Sequence, residues 1–173
     1  LLGGDGMRVE IDNRDNDIVY TGYQFGHYYR MNLATDDFHY FHPSHELGER
    51  PLRWNWQTPV VLSSHNNDII YMGSNRFHRS MDQGDTWETL SEDMTNGGIA
   101  GDVSFGTLTC ISESSLRFGL IYIGTDDGHI HKSMDGGYTW TAIDSKLPKN
   151  LWVTRIIASN HDKNMVYASM NGY

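Results

Sequence analysis

Short apolar stretches alternate with polar turns along the chain. In residues 58–90 the stretches TPVVLS, IIYMGS, RFHRSM and TWETL are separated by polar residues such as SHNND. Each stretch has the length of a β-strand, and a helical period of about 3.6 residues is hard to find anywhere. Ten Tyr, five Trp and eighteen Gly suit a chain with many strands and turns. The pattern predicts an all-β protein built from short antiparallel strands.

An eight-residue phrase occurs twice in the chain. SMDQGDTW begins at Ser80, SMDGGYTW begins at Ser133, and the pattern Ser-x-Asp-x-Gly-x-Thr-Trp therefore recurs 53 positions later. Similarity continues upstream of both copies, and partial copies begin at Val9 and Arg155. Corresponding tyrosines follow one another at steps of 51, 51 and 45 residues: Tyr20, Tyr71, Tyr122 and Tyr167. The sequence therefore predicts an internal structural repeat.

Each repeat carries four strand signals in about 40–50 residues, which is the pattern of a β-propeller blade. We therefore predict a β-propeller of four-stranded antiparallel blades, of which about three and a half lie in this chain. The whole chain, 1–173, is one propeller segment, with approximate blades at 7–47, 53–92, 105–145 and an incomplete 151–173. A closed ring commonly needs at least four blades. The remaining blades of the same propeller are therefore expected partners.

The repeated phrase has the chemistry of a tight turn between a third and a fourth strand. Its Asp can accept main-chain N–H bonds, its Gly can take a positive φ, and its Thr and Trp restart a strand. The indole then buries a large area against the blade. We expect structural roles for Ser80, Asp82, Gly84, Thr86 and Trp87, and for Ser133, Asp135, Gly137, Thr139 and Trp140.

The phrase resembles the Asp-box, also called the bacterial neuraminidase repeat. That β-propeller family includes sialidases, sortilin-type propellers and xyloglucan-hydrolysing propellers. The segment RWNWQTPVVLSSHNNDIIYMGSNRFHRSMDQGDTW is especially similar to a secreted bacterial branch described as sortilin-like or glycosyl-hydrolase-like. The resemblance implies a secreted or periplasmic protein. It is specific for the fold and says little about activity, because one fold hosts many functions.

Charge and composition narrow the expected partners. The formal net charge of −9 argues against nucleic acid or an anionic membrane surface as a main partner. No apolar run approaches the roughly 18 residues of a membrane span. Cys110 is the only cysteine, which excludes an intrachain disulfide and a cysteine zinc cluster. The histidines of FHYFHPSHE read as exposed loop residues, so we expect no metal site and no cofactor.

Ligand contacts are expected from the loops that the resemblance places around the central channel. These loops lead into each first strand or join the second strand to the third. Aromatic rings beside charged and amide groups suit a glycan or a peptide. The alternative is that the tryptophans pack between blades. The candidate ligand-binding residues are Arg53, Trp54, Trp56, Asn75, Arg76 and Asp127.

Catalysis is a second possibility, because glycoside hydrolysis commonly needs two carboxylates. In the xyloglucan-hydrolysing relatives one catalytic Asp lies in a T-D-x-G-type loop, and GTDDGH resembles that loop at Asp126. Asp102 and Asp5 are the candidate partners of Asp126. However, GTDDG is also an ordinary turn, and the sialidase segment F-R-I-P is absent. We expect a binding module that is non-catalytic in this segment, with a polysaccharide-cleaving glycoside hydrolase as the alternative.

Overall fold

The computed structural model describes residues 2–172, which form strands, turns and loops but no helix. Accordingly, none of these residues belongs to a helix that could cross a membrane. The strands in the first half are β1 (Val9–Ile11), β2 (Ile18–Tyr23), β3 (His27–Asn32), β4 (Asp37–Phe41), β5 (Val60–Leu62), β6 (Ile70–Gly73), β7 (Phe77–Ser80) and β8 (Glu88–Thr89). Those in the second half are β9 (Leu108–Glu113), β10 (Ile121–Thr125), β11 (Ile130–Ser133), β12 (Thr141–Ala142), β13 (Trp152–Ala158) and β14 (Val166–Asn171).

The strands build three four-stranded sheets and one two-stranded sheet. Their orders are β1-β2-β3-β4, β5-β6-β7-β8, β9-β10-β11-β12 and β13-β14, and all neighbours are antiparallel. Each sheet is therefore a simple meander, in which successive strands pair with one another. This is the arrangement that four short strand signals per repeat predict.

Apolar side chains fill the space between successive sheets. Tyr20 and Tyr28 of the first sheet pack against Ile70 and Met72 of the second. The next interface contains Tyr71, Phe77, Leu108, Ile121 and Ile123, and the third contains Tyr122, Ile130, Val153, Ile156 and Ala158. The cores therefore lie between the sheets, so each sheet is buried on the faces that meet a neighbour.

The tyrosines that recur at regular steps in the sequence occupy equivalent positions in successive sheets. Tyr20, Tyr71 and Tyr122 each lie on the second strand of a sheet, buried in the interface with the following sheet. Tyr167 lies on the second strand of the last sheet and is exposed. The difference arises because no further sheet within residues 2–172 packs on this side.

The repeated phrase forms the turn between the third and fourth strands, called here the repeated turn (residues 80–87 and 133–140). In its first copy, Asp82 accepts hydrogen bonds from the Ser80 hydroxyl (2.7 Å) and from the Thr86 amide (2.8 Å) and hydroxyl (2.6 Å). The Gly84 amide donates to the Ser80 hydroxyl at 2.8 Å, and Gly84 has a φ of 93°. A positive φ at this place favours glycine.

The second copy of the repeated turn reproduces these bonds. Asp135 accepts from the Ser133 hydroxyl (2.8 Å) and from the Thr139 amide (2.9 Å) and hydroxyl (2.6 Å). Gly137, with a φ of 105°, donates from its amide to the Ser133 hydroxyl at 2.9 Å. The Thr139 hydroxyl is the main cause that lowers the pKa of Asp135 to about 2.

The tryptophans of the repeated turns pack against the preceding sheet. Trp87 stacks on Phe41 with ring centroids 5.6 Å apart, and Trp140 meets Phe77 edge-on at 5.0 Å. The Trp87 indole also donates to the carbonyl of Gly84 at 3.1 Å. The repeated turn therefore joins two sheets, in addition to closing a hairpin within one.

Candidate functional site

Two kinds of loop meet at one end of the sheets: those that lead into the first strand of a sheet, and those that join its second strand to its third. The Phe25 amide donates to the carbonyl of Trp56 at 3.3 Å, which joins the β2–β3 loop to the loop that leads into β5. The Leu108 amide donates to the carbonyl of Ser74 at 2.7 Å, which makes the equivalent connection one sheet later. Within the second unit, the Arg53 amide donates to Asn75 at 3.0 Å. We call this end the rim; the repeated turns lie at the opposite end of each meander.

A shallow pocket of about 390 Å³ opens at the rim. Its walls are Phe25, Arg53 and the segment Ile99–Phe105, which includes Asp102. Trp56 is 43% exposed and meets Phe25 edge-on, with ring centroids 5.2 Å apart. The pocket therefore combines aromatic surface with an exposed carboxylate and an exposed main chain.

Arg53 lines this pocket, but its guanidinium is already held by protein groups. Its Nε donates to the carbonyl of Gly106 at 3.0 Å, and its Nη2 donates to Asp93 (2.6 Å) and Thr95 (3.0 Å). Removing Arg53 would therefore disturb the shape of the pocket wall as well as its charge.

Trp54 differs from the expectation of a ligand contact. It is 7% exposed, and its ring packs on His42 with centroids 4.6 Å apart and on His78 at 5.5 Å. It belongs to the core between the first and second sheets. The physical reason is that loop 53–58 is not extended throughout, so Trp54 turns inward while Trp56 stays exposed.

Asn75 and Asp127 are also buried and engaged within the protein. Asn75 accepts the Arg53 amide. Asp127 accepts from the Thr125 hydroxyl at 2.5 Å and from the Asn96 amide at 2.6 Å. Both side chains hold loops in place, which is a correction to their expected role as ligand contacts.

Arg76 is half-buried and forms ion pairs away from the rim pocket. Its Nη1 lies 3.3 Å from Glu49, and its Nη2 lies 3.7 Å from Glu92. Arg76 therefore does not line the rim pocket, whereas Asp102 does.

Asp126 is 3% exposed, and both of its carboxylate oxygens are occupied. It accepts from the Gly106 amide (3.0 Å) and from the Thr107 amide (2.9 Å) and hydroxyl (2.6 Å). Burial raises the pKa of Asp126, and the adjacent Asp127 carboxylate adds to this effect. In this arrangement Asp126 fixes the loop that leads into β9.

The other two carboxylates proposed for catalysis lie elsewhere on the surface. Asp102 is exposed on the pocket wall. Asp5 is also exposed, and its amide donates to Gln24 at 3.2 Å. Neither forms a described hydrogen bond to Asp126, whose own carboxylate oxygens are held by Gly106 and Thr107. Among residues 2–172, no group of three or more His, Cys, Asp or Glu side chains is placed to hold a metal ion.

Sequence reasoning named Asp102 but missed the residues just before its loop, Ile99 and Ala100, as part of the site. They carry no strand signal, and the structure places them on the wall of the rim pocket with the rest of the segment Ile99–Phe105. The amino-acid composition around these residues indicates a loop, because glycines and small residues are typical of loops. Composition does not indicate that such a loop forms one side of a pocket.

Comparison with known proteins supports the fold. No family model matches the chain, and neither does any curated protein. Among solved structures, the Niastella koreensis GH74 enzyme is 20% identical, with a TM-score of 0.61 over 95% of this chain and 26% of the other. The Xanthomonas campestris GH74 xyloglucanase is 17% identical, with a TM-score of 0.66 over 94% and 26%. YCF48 bound to D1 peptide is 12% identical, with a TM-score of 0.52 over 81% and 40%.

These similarities concern architecture, because the identities are low. The chain spans about a quarter of the length of the two GH74 enzymes. Its three four-stranded antiparallel sheets and the two-stranded sheet that follows them are stacked in chain order. The described chain is therefore a set of consecutive blades of a β-propeller.

Proposed function

We propose that this chain is part of a larger, exported Asp-box propeller of the sortilin-like and glycosyl-hydrolase-like type, and that its rim pocket binds a glycan without cleaving it. The remaining blades of the same propeller are its structural partners. They would cover exposed side chains on the outer faces of the first and last sheets, such as Tyr40 and Tyr167. Uncovered apolar sheet faces favour such packing.

The observation that carries the proposal is the exposed Trp56 ring beside the rim pocket. Sugar rings present apolar C–H faces and hydroxyl groups, so they bind where aromatic surface adjoins polar groups. Trp56 and Phe25 supply the aromatic surface, and Asp102 supplies an acceptor for hydroxyl groups. The structural similarity to GH74 enzymes, one of them a xyloglucanase, makes polysaccharide the first ligand to test.

The binding proposal can be tested with xyloglucan, cellulose and mannan oligosaccharides by isothermal titration calorimetry. We expect one of them to bind and Trp56→Ala to weaken that binding by about 1–3 kcal/mol, because an exposed aromatic anchor is lost. Phe118→Ala is the matched control, since Phe118 is exposed in the β9–β10 turn at the opposite end. Failure of all oligosaccharides to bind, or equal effects of both substitutions, would contradict the proposal. Binding of a peptide instead would favour the peptide alternative.

A glycoside hydrolase is the second candidate, and the raised pKa of Asp126 favours it, because general acids in glycosidases need such a shift. The occupied oxygens of Asp126 argue against it. Release of reducing ends from the same polysaccharides decides the question. We expect none; release by the wild type that Asp126→Asn abolishes while the fold persists would establish hydrolysis.

A further inference from the structure

A second cleft lies on the outer side of the second sheet, away from the rim pocket. Its volume is about 1080 Å³, near the upper end of the range for ligand pockets. It is bounded by the segment 42–49, by the outer strand β8 and by the repeated turn at Tyr138 and Trp140. This size leaves room for several residues of an extended chain.

Four partly buried apolar side chains line the cleft and are called here its floor: Leu52, Trp87, Leu90 and Trp140. Leu52 and Trp87 are partly buried side chains that pack on the core between the first and second sheets. Leu90 and Trp140 pack in the same way on the core between the second and third sheets. The floor therefore offers firm apolar surface to apolar side chains of a ligand.

The edge of the cleft is acidic. Four carboxylates line it: Glu46, Glu49, Glu88 and Glu92. Two guanidinium groups compensate part of this charge, because Arg76 pairs with Glu49 (3.3 Å) and Glu92 (3.7 Å), and Arg79 pairs with Glu88 (2.8 Å). No described salt bridge involves Glu46. The excess negative charge favours a cationic ligand and disfavours nucleic acid.

The β8 strand adds an open main-chain edge to the cleft. β8 is the outermost strand of its sheet, and the Leu90 amide donates to the carbonyl of Phe77 at 2.9 Å. In an antiparallel pair, successive residues point their amide and carbonyl groups alternately toward and away from the neighbouring strand. Because Leu90 is bonded to β7, the amide and carbonyl of Thr89 point away from β7. Since β7 is the strand that β8 pairs with and no strand lies on its other side in this sheet, neither group takes part in the ladder. An extended peptide could pair with this edge, as in β-strand addition.

We propose that this cleft binds an extended basic peptide. Main-chain bonds to Thr89 align the peptide with β8, alternate apolar side chains rest on the floor, and Lys or Arg side chains face Glu46 and Glu92. A second copy of this chain is a poorer fit, because a protein with a formal net charge of −9 meets an acidic surface.

The test uses a short fluorescent peptide that alternates lysine and leucine, titrated into the protein while fluorescence anisotropy is followed. Two matched peptides accompany it, one with glutamate in place of lysine and one N-methylated at alternate amides. We expect the lysine peptide to bind and the glutamate peptide not to bind. We expect N-methylation to weaken binding because it removes the main-chain donors that strand pairing needs.

Charge variants locate the site. Glu46→Gln with Glu92→Gln should weaken binding about tenfold at low salt, and less at about 0.15 M ionic strength, because screening reduces the attraction. Asp36→Asn with Asp162→Asn removes the same charge from exposed positions outside the cleft and should change affinity by less than about twofold. Equal weakening by both pairs, or no binding of the lysine peptide, would overturn the proposal. A fluorophore on Ser44→Cys, at the cleft wall, should respond to the lysine peptide only.

Discussion

Arg79 donates a hydrogen bond from Nη1 to the main-chain carbonyl of Gly136, at 3.1 Å, and so joins the second sheet to the repeated turn of the third unit. One unit earlier, Arg30 makes the same bond to the carbonyl of Gln83, at 2.9 Å. Gln83 and Gly136 occupy the same position in the repeated phrase. The repeat therefore encodes a contact between sheets as well as a turn within each one.

Replacing Arg79 should destabilise the fold. Arg79→Met leaves the carbonyl of Gly136 without its donor, so we expect a loss of about 1–3 kcal/mol in the free energy of unfolding. The lost pair with Glu88 adds little, because the Glu88 side chain is exposed. Urea unfolding followed by circular dichroism measures the loss. Arg155→Met is the control, because Arg155 is exposed on β13 and has no described ion pair. Equal losses in the two variants would contradict a specific role for Arg79.

The aspartate of the repeated turn should matter for stability and not for ligand binding. Asp82→Ala removes the acceptor of three hydrogen bonds, from Ser80 and Thr86, and should lower the free energy of unfolding by about 1–3 kcal/mol. The turn lies at the opposite end from the rim, so glycan affinity of the folded variant should equal that of the wild type. A loss of affinity with stability unchanged would place the turn in the binding site and refute this assignment.

Stability should fall in acid partly because of Asp12. The buried Asp12 carboxylate accepts Arg14 Nη2 at 2.7 Å and Asn67 at 2.9 Å, and chiefly the Arg14 bonds lower its pKa from 3.8 to about 2. A pKa lower in the folded state stabilises the protein above the unfolded pKa, and this contribution is lost as pH falls through the folded value. The free energy of unfolding should therefore drop between about pH 4 and pH 2, and less steeply in Asp12→Asn. Parallel pH curves for the two proteins would show that Asp12 does not contribute.

Much of the architecture could be predicted from the sequence because the chain contains two full copies of the repeating unit. The 53-residue offset from Ser80 to Ser133 and the regular tyrosines report a repeating unit, and four strand signals per unit fix the sheets. The contact partners of the repeated turn were not predictable in the same way. Trp87 packs on Phe41 of the preceding sheet, which is a long-range contact that local spacing does not report.

The candidate site was less predictable, because residue type does not determine which way a loop side chain points. Trp54 and Trp56 are two positions apart, and only Trp56 is exposed. Asp126 and Asp127 look like accessible carboxylates in sequence, but they accept hydrogen bonds from neighbouring loops and are buried. Polar residues in turns often hold the turn itself, and only the three-dimensional contacts separate that role from ligand binding.

The two tryptophans provide a test that separates packing from binding. Trp54→Ala should lower the free energy of unfolding by about 3–5 kcal/mol, because it removes a large ring from the core where Trp54 contacts His42 and His78. Trp56→Ala should change it by less than about 1 kcal/mol, because that ring is largely at the surface. Thermal and urea unfolding measure both variants, and calorimetric titration with the oligosaccharide that binds the wild type measures affinity. Trp56→Ala should lose affinity while remaining folded, and Trp54→Phe should keep most of it. If Trp56→Ala binds as the wild type does, the aromatic surface of the rim pocket is not part of the binding site.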